Sequence, residues 1–303
     1  MRNPWISVLL GVFNGEQFIA RAVASILGQT FRDLELIVIN DGSTDSTLNI
    51  LESFRDPRLR IITHENRGLT CGLNEAAALA KGRWLARQDA DDVSIVTRFE
   101  QQVAFLERNT DVKLLGSSVF MSNRHGLFNE IFDYPQSDAA IRRAFSVLNP
   151  FCHGAVIIER QLFEQVGGYD EHYRWAQDYE LWGRMLPRCQ AANLATPLYG
   201  RVRHGGTSES MVGKEVIAAE VRALTRAASP ELFGQRPPET FPIGTRNAHP
   251  IIATPPLDMA SLAATYWRIG AELRSCSLPA LSESALSFLY CPWWPLRPSA
   301  AHA

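Results

Sequence analysis

Cysteine is scarce and unpatterned in this chain. Cys71, Cys152, Cys189, Cys276 and Cys291 are odd in number and none falls in a C-x-x-C pair. That excludes a disulfide framework and a structural zinc site, and it predicts reduced thiols in a cytoplasmic protein. Charge of one sign is missing too. The 30 Lys and Arg stand against 32 Asp and Glu, for a formal net charge of -2, and no basic block forms a nucleic-acid footprint, so nucleic acid is not expected as a partner. Long apolar runs are absent, since no stretch reaches the roughly 18 to 20 residues that a spanning helix needs. The apolar start from Trp5 to Phe13 has one arginine ahead of it, is interrupted by Gly11 and Asn14, and lacks a small-residue cleavage site. It predicts a first buried strand rather than a signal peptide.

What is present is a chain of 303 residues with 46% hydrophobic content, enough to bury one large core with additions. From Ile6 to about Phe120, short apolar runs alternate with amphipathic patterns. The runs predict strands over Ile6 to Val12, Leu34 to Asn40, Leu59 to Thr63, Trp84 to Gln88 and Val112 to Val119. Helices are expected over Glu16 to Gln29, Thr44 to Phe54, Thr70 to Lys81 and Val96 to Glu107. Strands joined by helices require crossover connections, hence an α/β protein with a mostly parallel sheet covered on both faces.

Beyond it the pattern loosens. Met121 to Gln136 carries no clear period; a helix is predicted over Asp138 to Leu148, a strand over Gly154 to Ile158, a helical run ending at Gly167-Gly168, and a helix over Gln177 to Leu186. This mixed half is expected to form a second wall for a cleft. Six prolines between Gln235 and Pro256 mark a linker. After it, Met259, Leu262, Tyr266, Ile269 and Leu273 form a helical stripe, and the tail from Phe288 to Leu296 is rich in aromatics.

In open α/β sheets ligands gather at the carboxyl ends of the strands. Three polar clusters fall on that rim: Asn14 after the first strand, Asp41 to Asp45 after the second, and Asp89-Ala90-Asp91-Asp92 after the fourth. Three carboxylates so crowded repel one another unless a cation or strong donors occupy the site. With no cysteine or histidine adjacent, the hard oxygen ligands point to Mg²⁺ or Mn²⁺ rather than zinc. Mg²⁺ is commonly held by one or two carboxylates together with substrate phosphates, so a phosphorylated ligand is implied.

The segments Val8 to Glu16, Ala24 to Phe31 and Leu36 to Asp45 closely resemble family 2 glycosyltransferases of the GT-A fold. So do Asn66-Arg67-Gly68-Leu69, Arg87 to Asp92, Gly167-Gly168-Tyr169-Asp170, Gln177 to Trp182 and Arg203-His204-Gly205-Gly206. The similarity runs in the family's order over about the first two thirds of the chain. It implies a nucleotide-sugar-binding half over 1–120 and an acceptor-binding, catalytic half over 121–234. A Pro-rich linker over 235–256 and a helical, aromatic C-terminal extension over 257–303 follow.

The resemblance further implies inverting transfer of a sugar from a UDP- or dTDP-linked donor to an acceptor hydroxyl, in the assembly of a polysaccharide, lipopolysaccharide or glycolipid. Val12, Asn14, Glu16, Asp41, Arg67, Arg87, Asp89 and Ala90 would surround the donor. Asp41 would contact the nucleoside; its alternative is a cap or Asx turn for the following helix. Asp89 would face ribose or a metal-bound water, and Asp91 would ligate the metal bridging the diphosphate. Arg87 has two readings, a phosphate or Asp89 as partner, the second preferred. Asp92 is read either as a third acidic group of the site or as a helix cap ahead of Val96.

Asp178 fits the family's catalytic base, which takes the acceptor proton as the hydroxyl attacks; the alternative is an acidic residue favoured by a helix start. His204 would reach the metal or the diphosphate, or be a surface-loop histidine, and His153 is a weaker candidate for the acceptor side. Leu181, Trp182 and Met185 have helical spacing and are expected in the core.

Two other functions are open to such a chain. A nucleotidyltransferase would carry a Gly-rich basic loop after the first strand, and Gly11 to Gly15 has no basic residue. A non-catalytic nucleotide-sugar-binding protein would be expected to have lost acidic motif positions, and none is lost. The tail aromatics, with Tyr266 and Trp267, suit packing on the catalytic domain, a homodimer contact, or peripheral contact with the inner face of a membrane bearing a lipid-linked acceptor.

Overall fold

The computed structural model describes residues 3–122, 128–145, 148–173 and 175–202, together with positions 265 and 268. The linker, most of the C-terminal extension and His204 lie outside the described residues.

The elements follow in the order β1 Ile6–Val12, α1 Ile19–Leu27, β2 Leu34–Asp41, α2 Thr47–Ser53, β3 Leu59–His64, α3 Leu69–Leu79, β4 Trp84–Asp89, β5 Val93–Ser94 and α4 Arg98–Arg108. They continue with β6 Val112–Ser122, β7 Phe128–Phe132, α5 Asp138–Phe145, β8 Ile157–Glu159, α6 Arg160–Gln165, α7 Gln177–Met185 and β9 Gln190–Arg201. The described strands form one sheet in the order β3-β2-β1-β4-β8-β6-β9-β5, with β7 beside β6.

Neighbours among β3, β2, β1 and β4 are parallel, as crossover helices require. β8 then enters antiparallel between β4 and β6, while β9 returns parallel to β6. The sheet is therefore regularly wound in its first half and mixed in its second.

Both faces are covered because the strands alternate. Ile6, Val8 and Leu10 pack with Ile19, Val23 and Ile26 of α1 and with Phe99 and Val103 of α4. Leu9, Ile37 and Ile39 point the other way, onto Leu73 and Ala76 of α3 and the Tyr179, Leu181 and Trp182 side of α7. Leu181, Trp182 and Met185 are fully buried, as their helical spacing predicted.

Three local differences from expectation have physical causes. The unpatterned stretch after Met121 contains β7, whose backbone pairs with β6 through a register shift next to Ser122. His153–Ala155 form a short 3-10 turn, so the predicted strand at Gly154 begins only at Ile157. The helix expected from Glu16 starts at Ile19, because residues 14 to 16 are bonded to the turn after β2.

Positions 265 and 268 touch the catalytic domain. Thr265 is buried and its Oγ1 accepts the Val96 N–H at 3.0 Å, and Arg268 donates to the Gly28 carbonyl at 3.2 Å. Among the described residues no helix is long and apolar enough to cross a membrane.

Candidate active site

The loops after β1 and β2 are stitched together at the carboxyl rim. Asn14 adopts φ +50°, a left-handed conformation that asparagine tolerates better than most residues. Its N–H donates to Ser43 Oγ at 2.9 Å and its Oδ1 accepts the Thr44 N–H at 2.8 Å. Glu16 reciprocates, its N–H bonding Asp45 at 3.0 Å and its carboxylate taking the Ser46 N–H at 3.0 Å. Phe13, between these contacts and the buried Val12, is 53% exposed.

Asp41 is neither a cap nor an Asx turn for α2, whose N-cap position is Ser46 without a side-chain bond. Its two oxygens instead accept the N–H groups of Arg67 and Gly68, each at 2.8 Å. Gly68 has φ +90°, which a side chain would resist. Asp41 thus holds the loop that carries Arg67, whose guanidinium pairs with Glu75.

The acidic turn follows β4. Arg87, buried in the strand, donates to Asp89 Oδ1 at 2.7 Å, which is the second of its two readings. Burial raises the Asp89 pKa most, but Arg87, His153, Arg201 and the Tyr199 hydrogen bond together outweigh it and hold the carboxyl below the ordinary range. Ala90 and Asp91 are half-buried at the tip. Asp92 does not cap α4, whose N-cap position is Thr97. Its Oδ1 accepts the Val202 N–H at 2.8 Å, tying the turn to the end of β9.

Burial, then the charges of Asp91 and Asp89, push the Asp92 carboxyl well above the ordinary range. Arg87 and Arg201 offset part of this negative field, and a divalent cation would relieve the rest, so the acidic turn is chemically suited to Mg²⁺ or Mn²⁺. Among the described residues no group of three or more His, Cys, Asp or Glu side chains is arranged to hold a metal ion by itself. Asp91 would supply one or two oxygens and leave the remaining positions to phosphate and water.

A polar network beneath the turn fixes its shape, and no local period in the sequence announced it. Gln88 Nε2 donates to the carbonyls of Asp89 and Asp92 at 3.0 and 3.1 Å, and its Oε1 accepts Ser94 Oγ–H at 2.7 Å. Arg98, fully buried on α4, donates to Ser94 Oγ, to Gln102 and to the carbonyls of Arg87 and Val156. Every one of these partners is neutral, and burial pushes the Arg98 guanidinium down to about 10.

The second wall comes from the mixed half. Asp178 sits in the first turn of α7; its Oδ2 accepts Asn149 Nδ2–H at 2.7 Å and its Oδ1 the Tyr179 N–H at 2.8 Å. Burial pushes its carboxyl up, and the Asp89 charge adds to the shift. Asn149 is a partner the sequence did not suggest; its place before Pro150, a turn signal, was the available clue.

His153 shares a hydrogen bond with the Tyr169 hydroxyl at 2.7 Å and is edge-on to Trp182. Burial, helped by Arg87, pushes its imidazole down to about 3, so it is neutral. Tyr199, from β9, was also unforeseen. Its hydroxyl accepts the Asp89 N–H at 3.1 Å and reaches Asp89 Oδ2 at 3.4 Å. The structure places Asp41 at the end of β2 and Arg87, Asp89, Asp91 and Asp92 at the end of β4, with His153 beside Gly154 close to Asp89 and Asp178 at the start of α7.

The O-antigen biosynthesis glycosyltransferase WbnJ of Escherichia coli is 31% identical over 61% of this chain and 72% of its own. Among solved structures, TarS of S. aureus in complex with UDP-GlcNAc aligns over 93% of this chain and 83% of its own, with TM-score 0.60 and 18% identity. A mannosyltransferase of Pyrobaculum calidifontis in complex with GDP-Man and Mn²⁺ aligns over 96% and 82%, with TM-score 0.55 and 20% identity. At those identities the two structures establish the shared GT-A fold. The family model described as glycosyl transferase family 2 matches residues 7–167, more than half of the chain, and the chain belongs to that family of enzymes.

Proposed function

We propose that this glycosyltransferase moves a sugar from a UDP- or dTDP-linked donor to an acceptor hydroxyl with inversion at the anomeric carbon, in glycan assembly. The observation that carries the reading is Asp178, a carboxylate in the first turn of α7 held by Asn149 and the Tyr179 N–H, whose proton affinity burial and the Asp89 charge raise. A base of that kind removes the acceptor proton as the hydroxyl attacks the face away from the leaving group. The hydrogen bonds from Asn149 and Tyr179 hold the carboxylate in place.

On the donor side, Asp91 is assigned as metal ligand and Asp89 as the contact to ribose or a metal-bound water. A divalent cation bound there would offset the charge developing on the departing nucleotide diphosphate. Asp41 and the loop of Arg67 form the nucleoside edge, and the exposed ring of Phe13 offers a face on which a base can stack. The diphosphate-linked sugars bound by TarS and the mannosyltransferase, and the Mn²⁺ in the latter, support this class of donor. The name of the Escherichia coli relative supports a glycan acceptor.

A panel of nucleotide sugars screened for thermal stabilisation with Mn²⁺ identifies the donor without knowledge of the acceptor. The anomeric configuration of the transferred sugar, read by NMR, then tests the mechanism. Retention of configuration would overturn the inverting assignment, and stabilisation by no nucleotide sugar would overturn the donor class.

A further inference from the structure

Asp89 is held by three contacts from two groups, one a neighbour on its own strand and one 110 residues away. Arg87 bonds Oδ1 at 2.7 Å, while the Tyr199 hydroxyl accepts the backbone N–H at 3.1 Å and reaches Oδ2 at 3.4 Å. A phenolic hydroxyl has one proton and two lone pairs, so after accepting the N–H it still has a proton for the carboxylate. The Asp89 side chain nevertheless remains 30% exposed. Each oxygen has one internal partner and keeps acceptor capacity for a ligand in the cleft.

Tyr199 itself has no freedom to leave. It is fully buried, lies on β9 opposite Ser94 of β5, and stacks under the Arg98 guanidinium at 5.2 Å. Gly154 leaves the room it occupies. A Cβ on Gly154 would lie 2.1 Å from the Tyr199 hydroxyl and 2.7 Å from Asp89 Oδ2. Its backbone is not in the left-handed region, so closeness to these two atoms, and not conformation, excludes a side chain.

We propose that Tyr199 is a positioning residue that sets the Asp89 carboxylate for the metal-bound donor, and that Gly154 is the space that admits its hydroxyl. The inference rests on the reading of Asp89 and Asp91 as the donor's anchor. Asp89, read as holding a metal-bound water, is itself an outer-shell partner of the metal, and losing the hydrogen bond that orients it should weaken metal affinity by about tenfold.

The test titrates Mn²⁺ by calorimetry into the full chain holding saturating UDP, or dTDP where that is the stabilising nucleotide. Tyr199→Phe keeps the ring and removes only the hydroxyl. It should raise the Mn²⁺ concentration for half-saturation about tenfold, with full binding restored at higher Mn²⁺, and lower Tm modestly because the Asp89 N–H loses its partner. Leu198→Ala, a neighbouring buried truncation on the same strand, should lower Tm and leave the half-saturation point alone. An unchanged half-saturation in Tyr199→Phe, or the same shift in Leu198→Ala, overturns the positioning role while the donor reading stands. Failure of the unmodified chain to bind either nucleotide overturns the donor reading and this inference together.

Discussion

The Asp92 carboxylate accepts the backbone N–H of Val202 at 2.8 Å, joining the acidic turn to the end of β9 across 110 residues of chain. Tyr199, three residues earlier, bonds Asp89 across the same number of residues. Strand β9 therefore grips the turn at both ends while Asp91 stays at its tip. The turn's shape belongs to the tertiary structure as much as to its own sequence.

Replacing Asp92 separates its hydrogen bond from its charge. Asp92→Asn retains an oxygen for the Val202 N–H and should melt close to the unmodified chain in the absence of metal. Asp92→Ala leaves that N–H without its partner and should lose about 1 kcal/mol, read by urea denaturation. Equal stability of the two variants would show that the bond to Val202 contributes nothing.

Asp178→Asn should lower kcat by about 10² to 10⁴-fold and leave donor affinity unchanged, since the base acts on the acceptor. It should not cost stability. A carboxylate whose folded pKa is raised binds its proton more tightly folded than unfolded, so its ionisation destabilises the fold as pH rises above about 3.9. The neutral amide avoids that term and can still accept the Tyr179 N–H. A Tm at pH 7 equal to or above that of the unmodified chain is expected, and a marked fall would argue that Asp178 is structural.

The same shift sets the pH dependence of activity. Asp178 must be ionised to act, and burial together with Asp89 raises its pKa. The acid limb of the kcat profile should therefore lie above the ordinary aspartate value of about 3.9. Asp178→Asn should erase that limb from whatever activity remains; a limb that persists belongs to another group.

Asp91→Ala should abolish the stabilisation by Mn²⁺ and nucleotide sugar together while leaving the Tm of the unliganded chain nearly unchanged, because Asp91 sits half-buried at the tip of the turn. Undiminished stabilisation would remove Asp91 from the metal.

Arg98→Met tests the network beneath the turn. It strips hydrogen bonds from Ser94, Gln102 and the carbonyls of Arg87 and Val156, and at least ~2 kcal/mol of stability should be lost. Chemical denaturation measures it, and a loss well under 1 kcal/mol would show that water or neighbouring groups replace the arginine.

Much was legible in sequence because it is local. Val8, Leu9 and Leu10 alternate between the two faces of the sheet, and an alternating run can be read without knowing its neighbours. The parallel half follows from strands separated by helices, and the acidic run's place on the rim follows from the end of β4. Arg87 and Asp89, two residues apart on one strand, could be paired by inspection.

Asp41 and Asp92 show the limit. Each stands before a helix, where local reasoning offers a cap, and each instead bonds backbone from a distant segment. Strand β7 hid in an unpatterned stretch because a bulge disturbs the alternation.

The amino-acid sequence by itself determined which segments become strands and helices, that three carboxylates end β4, and that the chain resembles a known family, because periodicity and motif order are properties of neighbouring residues. Only the tertiary structure decided what those carboxylates touch. The antiparallel entry of β8 and the return of β9 beside β6 and β5 bring Gly154, Tyr199 and Val202 to the acidic turn, and sheet order and register arise from packing between segments distant in the sequence.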